Sequence, residues 1–332
     1  YTPPTDHLAL CSDSLANPAI DPNNDETPED YFNTLLYTGN NNARSITGVG
    51  FQPDWVWFKD RIRVTNHLMY DSVRGATKTL IPNELDDEST DTGKLTSFDA
   101  DGFSLGTDNN PNRNSDTFVA WNWKAGGAAI SNTDGDITSS VSASTKTGFS
   151  IVSYTGTGAN DTVGHGLTAA PEFVWIKNRD ISSNQYIYNK DGGTGNQLSV
   201  ETNDDYVTTS NKMTSDPNDS VLNLATSAAV NGDSNQMIAY CFHSTVGFSK
   251  VGVYIGNGSS SDGAFVFTGF RPAWVLVKSA VGGTGGWNIY DNKRQTFNPN
   301  QQFLQAQSTA VENTTAGSTV AIDFLSNGFK AP

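Results

Sequence analysis

Bulky aromatic and aliphatic residues gather in short alternating runs bounded by polar, turn-forming residues, which predicts strands rather than helices. The clearest case is residues 53–60, PDWVWFKD. Successive side chains of a strand point to opposite sides, so Trp55 and Trp57 share one face and Val56 and Phe58 the other. Both faces are apolar, which predicts a central strand in a packed two-layer structure. HLMYDSVRG (67–75) follows as its expected neighbour. LTSFDADGFSLGT (95–107) reads as two short strands around a tight turn at Asp101-Gly102. TFVAWNWKA (117–125) closes this set with alternating large residues.

The set recurs. PDWVWFKD returns as PEFVWIKN at 171–178 and as PAWVLVKS at 272–279. Each copy follows a YTG-like turn: Tyr37-Thr38-Gly39, Tyr154-Thr155-Gly156, Tyr254-Ile255-Gly256. Each precedes a tyrosine with an acid or amide: Tyr70-Asp71, Tyr188-Asn189, Tyr290-Asp291. Three landmarks in constant order imply one β-rich unit used three times, at a spacing that suits a small domain. QMIAYCFH (236–243) aligns with TFVAWNWK, and FLSNGF (324–329) with FDADGF. The third copy has no counterpart of TFVAWNWK before Pro332, which leaves a sheet edge open and favours a polypeptide that continues. The expected organisation is an arm over 1–30, a first unit over 31–127, a flexible Gly/Ser/Thr linker over 128–147 with one weak strand near Ile137, a second unit over 148–244, and a truncated third over 245–332. The fold class expected is all-β, with tandem antiparallel β-sandwich repeats.

Composition narrows the function classes. Gly, Ser, Thr, Asn and Asp dominate and helix-forming runs are missing, in keeping with strands and turns. A net charge of −15 repels nucleic acid, so nucleic acid is not an expected partner. No apolar run approaches the ~20 residues of a membrane-spanning helix, so membrane insertion is not expected. Cys11 and Cys241 lie in different segments and do not suggest a disulfide framework; Cys241, within IAYCF, reads as a small buried hydrophobe.

Candidate chemistry is sparse. Lys59 with Asp71, Lys177 with Asn189 and Lys278 with Asp291 recur as potential pairs, with Arg74 and Arg294 after the acids. Recurrence in every unit points to a fold-keeping contact, and Asn in place of Asp argues against a charge-critical catalytic role. Asp99 and Asp101 in the hairpin and Asp134 and Asp136 in DGD are the acidic loops that would take calcium, although the full calcium-loop spacing is absent. No other cofactor is called for. His165, in GHGL, is expected to shape a turn. Trp287, with Tyr290 beside it, is the best aromatic candidate for stacking on a sugar, weighed against the reading, favoured here, that it packs in the core. No nucleophile elbow or phosphate loop is present, and no carboxylate pair stands out, so no catalytic residue is assigned.

The succession GFQPDWVWFKDR, LMYDSVRGATKTL, LTSFDADGFSLG, TFVAWNWKAGG, followed by GGAAISNTDGDITSSVSASTKTGFSIVSYTGTG and APEFVWIKNR, resembles a repeated domain in tail fibres and other structural proteins of marine bacteriophages. The first residues, YTPPTDHLALCSDSL, resemble the last strand of SPRY-like domains in phage structural proteins, with Asp6-His7 standing where that segment has Gly-Phe. The resemblance implies a virion surface protein built from jelly-roll or concanavalin A-like β-sandwiches, non-catalytic, whose partners are other virion proteins and a host cell-surface glycan, and which forms a homo-oligomer, a trimer by analogy. Two other roles are weighed beside it: a capsid-decorating protein, and a polysaccharide-degrading enzyme on the same appendage.

Overall fold

A computed structural model describes residues 19–259, 262–283, 285–314 and 320–331. The SPRY-like stretch and Cys11 lie outside the described residues. The described residues are almost entirely strands in antiparallel sheets, with two four-residue helices at Asn109–Asn112 and Ala228–Asn231.

The first sheet runs in the order Phe32–Thr38, Thr117–Trp123, Trp55–Asp60, Leu68–Asp71. The same order recurs within an eight-stranded sheet, as Phe149–Thr155, Gln236–Phe242, Phe173–Asn178, Tyr186–Asn189, then Asn196–Ser199. The third sheet has Trp274–Lys278, Trp287–Asp291 and Leu304–Gln305. Smaller sheets lie across one face of each: Arg44–Thr47, Gly102–Leu105 and Leu95–Asp99 for the first, Asp161–Gly164 and Val221–Leu224 for the second, Phe265–Phe267, Gly328–Lys330 and Asp323–Leu325 for the third.

The two apolar faces of the central strand now have separate explanations. Val56, Phe58, Tyr70 and Ala120 pack with Ile46, Leu95 and Phe103 of the small sheet. Trp55, Trp57, Trp121 and Trp123 point the other way, into a cluster that also takes Phe149, Ile151, Trp175 and Tyr240 from the second sheet and Trp287, Ile289 and Leu304 from the third, with Trp274 and Leu276 packed against it. Trp57, Trp175 and Leu276, matched positions in sequence, thus meet in one core. Trp55 lies 4.4 Å from Trp123 and 4.8 Å from Tyr240, ring centre to ring centre, and Trp57 lies 5.5 Å from both Trp121 and Trp175. These are the distances at which aromatic rings attract beyond simple burial.

The linker expected over 128–147 gives way to strands. Ser139–Ser144 pairs along its length with Phe149–Thr155, and Ile130–Asn132 pairs with it in turn. Small residues suggested flexibility, yet they alternate: Val141 and Ser142 are buried, and Val141 joins the second unit's core. Ile137 makes only an isolated bridge, to Val163. Of the expected arm, residues 19–30 carry short 3-10 turns at Pro22–Asn24 and Pro28–Asp30, and Glu26 binds Lys146 at 2.6 Å.

Because one aromatic core serves all three sheets, they are expected to unfold together. Trp57→Ala should lower the unfolding free energy by about 3–5 kcal/mol and accelerate hydrogen exchange in all three sheets. Two separate calorimetric transitions in the wild type would contradict the shared core.

Candidate functional site

The polar groups that recur in sequence converge where the units meet. The residue four before each acid illustrates how. Trp57 Nε1 donates to His67 Nδ1 at 2.9 Å, so the proton of His67 sits on Nε2, which donates to Gln305 O at 3.1 Å across the first–third junction. Trp175 Nε1 donates to Gln185 Oε1 at 2.9 Å, and Gln185 Nε2 donates to Ile81 O, Pro82 O and Glu84 O across the second–first junction. Trp287 Nε1 donates to Ser199 O at 3.0 Å across the third–second junction. His, Gln and Trp therefore make the same bridge to a neighbour's carbonyl. The junctions close a ring.

The lysines do the same at the end of each central strand that adjoins the bridging residue. Lys59 Nζ donates to Asp60 O, Arg63 O and, from the third unit, Thr309 O. Lys177 Nζ donates to Ser183 O, Ile181 O and, from the first unit, Leu85 O. Lys278 Nζ donates to Ser279 O, Gly285 O and, from the second unit, Asn203 O. Burial lowers the Lys59 and Lys177 ammonium groups to about 8. The pairing of these lysines with Asp71, Asn189 and Asp291 is corrected here. Antiparallel register sets Trp55 against Asp71 and Phe58 against Leu68, so the lysine and the acid lie at opposite ends of the strand. The third unit repeats this, with Trp274 against Asp291 and Lys278 against Trp287.

The acids instead bind the arginines. Asp71 and Arg74 form a fully buried pair; Arg74 also reaches Glu88, which grips Arg179 of the second unit through both oxygens. Tyr240 of the second unit donates to Asp71 Oδ2 at 2.7 Å. The third–first junction matches it: Asp291 with Arg294, Arg294 with Glu312, Glu312 with Arg61 of the first unit, and Trp121 Nε1 donating to Asp291 Oδ2 at 3.0 Å. Burial pushes the Asp291 carboxyl up, but the Arg294 guanidinium outweighs it and holds the group below the usual range. The corresponding cluster at the second–third junction is neutral. Asn189, Gly192, Tyr206 and Ala280 stand where the others have the acid, the arginine, the glutamate and the partner arginine. Tyr206 N donates to Ala280 O at 2.9 Å, and its hydroxyl lies 3.4 Å from Asn189 Oδ1. A Cβ on Gly192 would sit 2.7 Å from the Tyr206 ring, so glycine there makes room for the replacement.

The sugar-stacking candidates are overturned: Trp287 is 3% and Tyr290 2% exposed, and the Tyr290 hydroxyl donates to Val320 O. The alternation of WNIYD sends Trp287 and Ile289 to the shared core and Tyr290 to the third unit's own core. The acidic loops are satisfied within the protein, by their own turns or by an adjoining loop or strand. Asp99 accepts from Ser97 and Ser104, Asp101 from Gly48 N and Gly50 N, Asp134 from Asn132, and Asp136 from Thr162. Among the described residues no three His, Cys, Asp or Glu side chains converge as a metal would need. His165 Nδ1 accepts from Leu167 N, and Nε2 donates to Asn218 O, which holds the turn. Cys241 is buried, and burial pushes its thiol up to about 12. A shallow depression of about 190 Å³ is lined by small and apolar residues, Ala128, Ile130, Val141 and Ala143 among them, with Asn132 as its one polar side chain. Sequence reading missed the bridging role of His67, Gln185 and Trp287; the available signal was their shared place four residues before the acid.

These features define an all-β, antiparallel protein whose internal charges are consumed in holding its parts together. The chain belongs to the family described as a domain of unknown function, DUF7483, whose profile matches residues 27–332 and so takes in all three sheets. No curated protein and no solved structure matches the chain.

Arg294→Ala leaves Asp291 buried and uncompensated, and should cost about 3–5 kcal/mol in denaturant titrations. The double change Arg294→Met with Asp291→Asn should cost clearly less than the sum of the single changes.

Burial, then the nearby Lys59 charge, hold His67 well below its ordinary 6.5. The unfolded chain therefore binds the proton more readily, and stability falls as pH drops below 6.5, by up to about 1.4 kcal/mol per pH unit from this residue. His67→Gln, which keeps the bridge seen at Gln185, should remove that part of the pH dependence.

Proposed function

We propose that the chain is a non-catalytic structural protein of a bacteriophage virion, a segment of a tail fibre or related appendage that meets the host surface. In this reading the three units are jelly-roll-like β-sandwiches, and they act as one block rather than as beads on a string. The observation that most supports it is the closed ring of junctions, in which each unit's lysine and bridging residue bind a neighbour's backbone. A block locked in this way transmits force and orientation without deforming. The buried acids Asp71 and Asp291 support it too, because each is bound to an arginine and to an aromatic side chain of an adjoining unit instead of facing a cleft. The resemblance of PDWVWFKDR, TFVAWNWKAGG and APEFVWIKNR to phage structural proteins supplies the location. Contact with a host glycan and with other virion proteins would come from surface loops, made effective by many copies on one particle.

Immunogold electron microscopy with antibodies against the chain, on particles of the phage that encodes it, tests this reading. Label on a tail appendage is expected. Label on the shell would favour a capsid-decorating role, and particles without label would refute a virion role. Release of reducing sugar from capsular polysaccharide by the purified chain would replace the non-catalytic reading with the enzymatic one.

A further inference from the structure

In the first two units the closing strand lies between two others. Thr117–Trp123 pairs with Phe32–Thr38 on one side and Trp55–Asp60 on the other. Gln236–Phe242 pairs in the same way with Phe149–Thr155 and Phe173–Asn178. In the third unit Trp274–Lys278 pairs only with Trp287–Asp291 among the described residues. Residues 251–256, the counterpart of Phe32–Thr38, join no ladder, yet Tyr254 stands 6.2 Å from Phe329 and edge-on, as Tyr37 stands 6.3 Å from Phe103. The flanking chain is thus in place on both sides of a position that no described residue fills. Burial agrees. All six residues of Trp55–Asp60 are buried and five of six in Phe173–Asn178, but only Val275 in Trp274–Lys278.

Three glycines supply an independent mark. A Cβ on Gly39 would lie 2.1 Å from Arg113 O, and one on Gly156 2.3 Å from Gly232 O; both clashes are with the chain that leads into the closing strand. The matching Gly256 has nothing within 4 Å. The lead-in is built alike in both complete units. Asn112 Oδ1 accepts from Asn40 N at 3.0 Å and Asn231 Oδ1 from Thr157 N at 2.9 Å. Ser115 and Ser234 both take positive φ, 67° and 59°. Gly39 N donates to Asp116 O and Gly156 N to Asn235 O. Asn257 holds the place of Asn40 and Thr157 beside the open glycine.

We infer that the free edge of Trp274–Lys278 accepts one more antiparallel strand, seated between it and residues 251–256, whose lead-in packs on Gly256. The occupant reads Asn-x-x-Ser-x-x-[Phe/Met]-[Val/Ile]-Ala-[Trp/Tyr], the pattern shared by 112–121 and 231–240. It is a segment of this pattern, whether appended to the chain or offered in trans. In both complete units eleven residues separate the preceding strand from the closing one, Leu105 from Thr117 and Leu224 from Gln236, and Gly328–Lys330 corresponds to Gly102–Leu105. Its aromatic residue faces Asn189. Trp121, opposite Trp57, reaches Asp291, and Tyr240, opposite Trp175, reaches Asp71, so the residue opposite Leu276 completes the cycle at the neutral junction. The inference rests on the fold and not on the virion role.

A fluorescent peptide of residues 112–124, titrated into the 332-residue chain, should bind saturably at one per chain, raise the melting temperature and protect the amides of 274–278 from exchange. A scrambled peptide should not bind. Gly256→Val, which meets open space in this structure, should leave the melting temperature of the chain alone unchanged and weaken the peptide at least tenfold. Appending residues 106–124 after Ala331 should raise the melting temperature and block the peptide in trans. The inference is overturned by absence of binding, by binding indifferent to Gly256→Val, by protection confined to other strands, or by a concentration-dependent dimer that already protects 274–278.

Discussion

The structure depends on one constraint: each central strand is apolar on both faces, and only one of those faces is covered by its own unit. Burying the Val56–Phe58 side against the small sheet leaves the Trp55–Trp57 side bare. A bare surface of that size is covered most economically by an identical one. Three sheets that turn the same face inward produce a common core of indole and phenol rings. The polar tips of those rings then need partners, since a buried N–H or O–H left unpaired costs more than a hydrogen bond returns. For Trp57, Trp121, Trp175, Trp287 and Tyr240 the bridging residues, the neighbours' carbonyls and the acids supply them, and the units become interlocked because of it.

The junctions show two ways of meeting the same requirement. At two of them a buried Asp–Arg pair is extended by a glutamate to an arginine of the adjoining unit. At the third, tyrosine and asparagine do the work without charge, and a glycine and an alanine take the places of the arginines. These replacements hang together: the Tyr206 ring needs the space that Gly192 leaves, and without an arginine a buried carboxylate would lack its counter-charge, so Asn189 is neutral. A sequence comparison that treats Asp71, Asn189 and Asp291 as one column sees a loosened motif. The contacts show a coordinated substitution of four residues.

Much of the local structure was legible from the chain. Period-two alternation marked the central strands, Asp101-Gly102 marked the hairpin, and TFVAWNWK was rightly taken as a large-residue strand. Residues 128–147 were misread because small side chains signal flexibility by composition, whereas Val141 and Ser142 are buried by pairing with a strand already in the sheet. Trp287 was open to two readings, a core aromatic or a sugar-stacking one, and its placement in WNIYD sends it to the shared core. The lysine–acid pairing failed for a similar reason: proximity in sequence says nothing about which end of a strand a residue occupies.

What the sequence by itself determined is strand content, the threefold recurrence of its landmarks, and the identity of the positions that bear on contacts between units. Those follow from backbone periodicity and local turn chemistry, which act over a few residues. That the three units share one core, that His67, Gln185 and Trp287 are equivalents, and that the acids serve arginines were decided by tertiary structure alone. Such relations depend on which surfaces meet, and residues hundreds of positions apart become neighbours only when apolar faces with no cover of their own find one another.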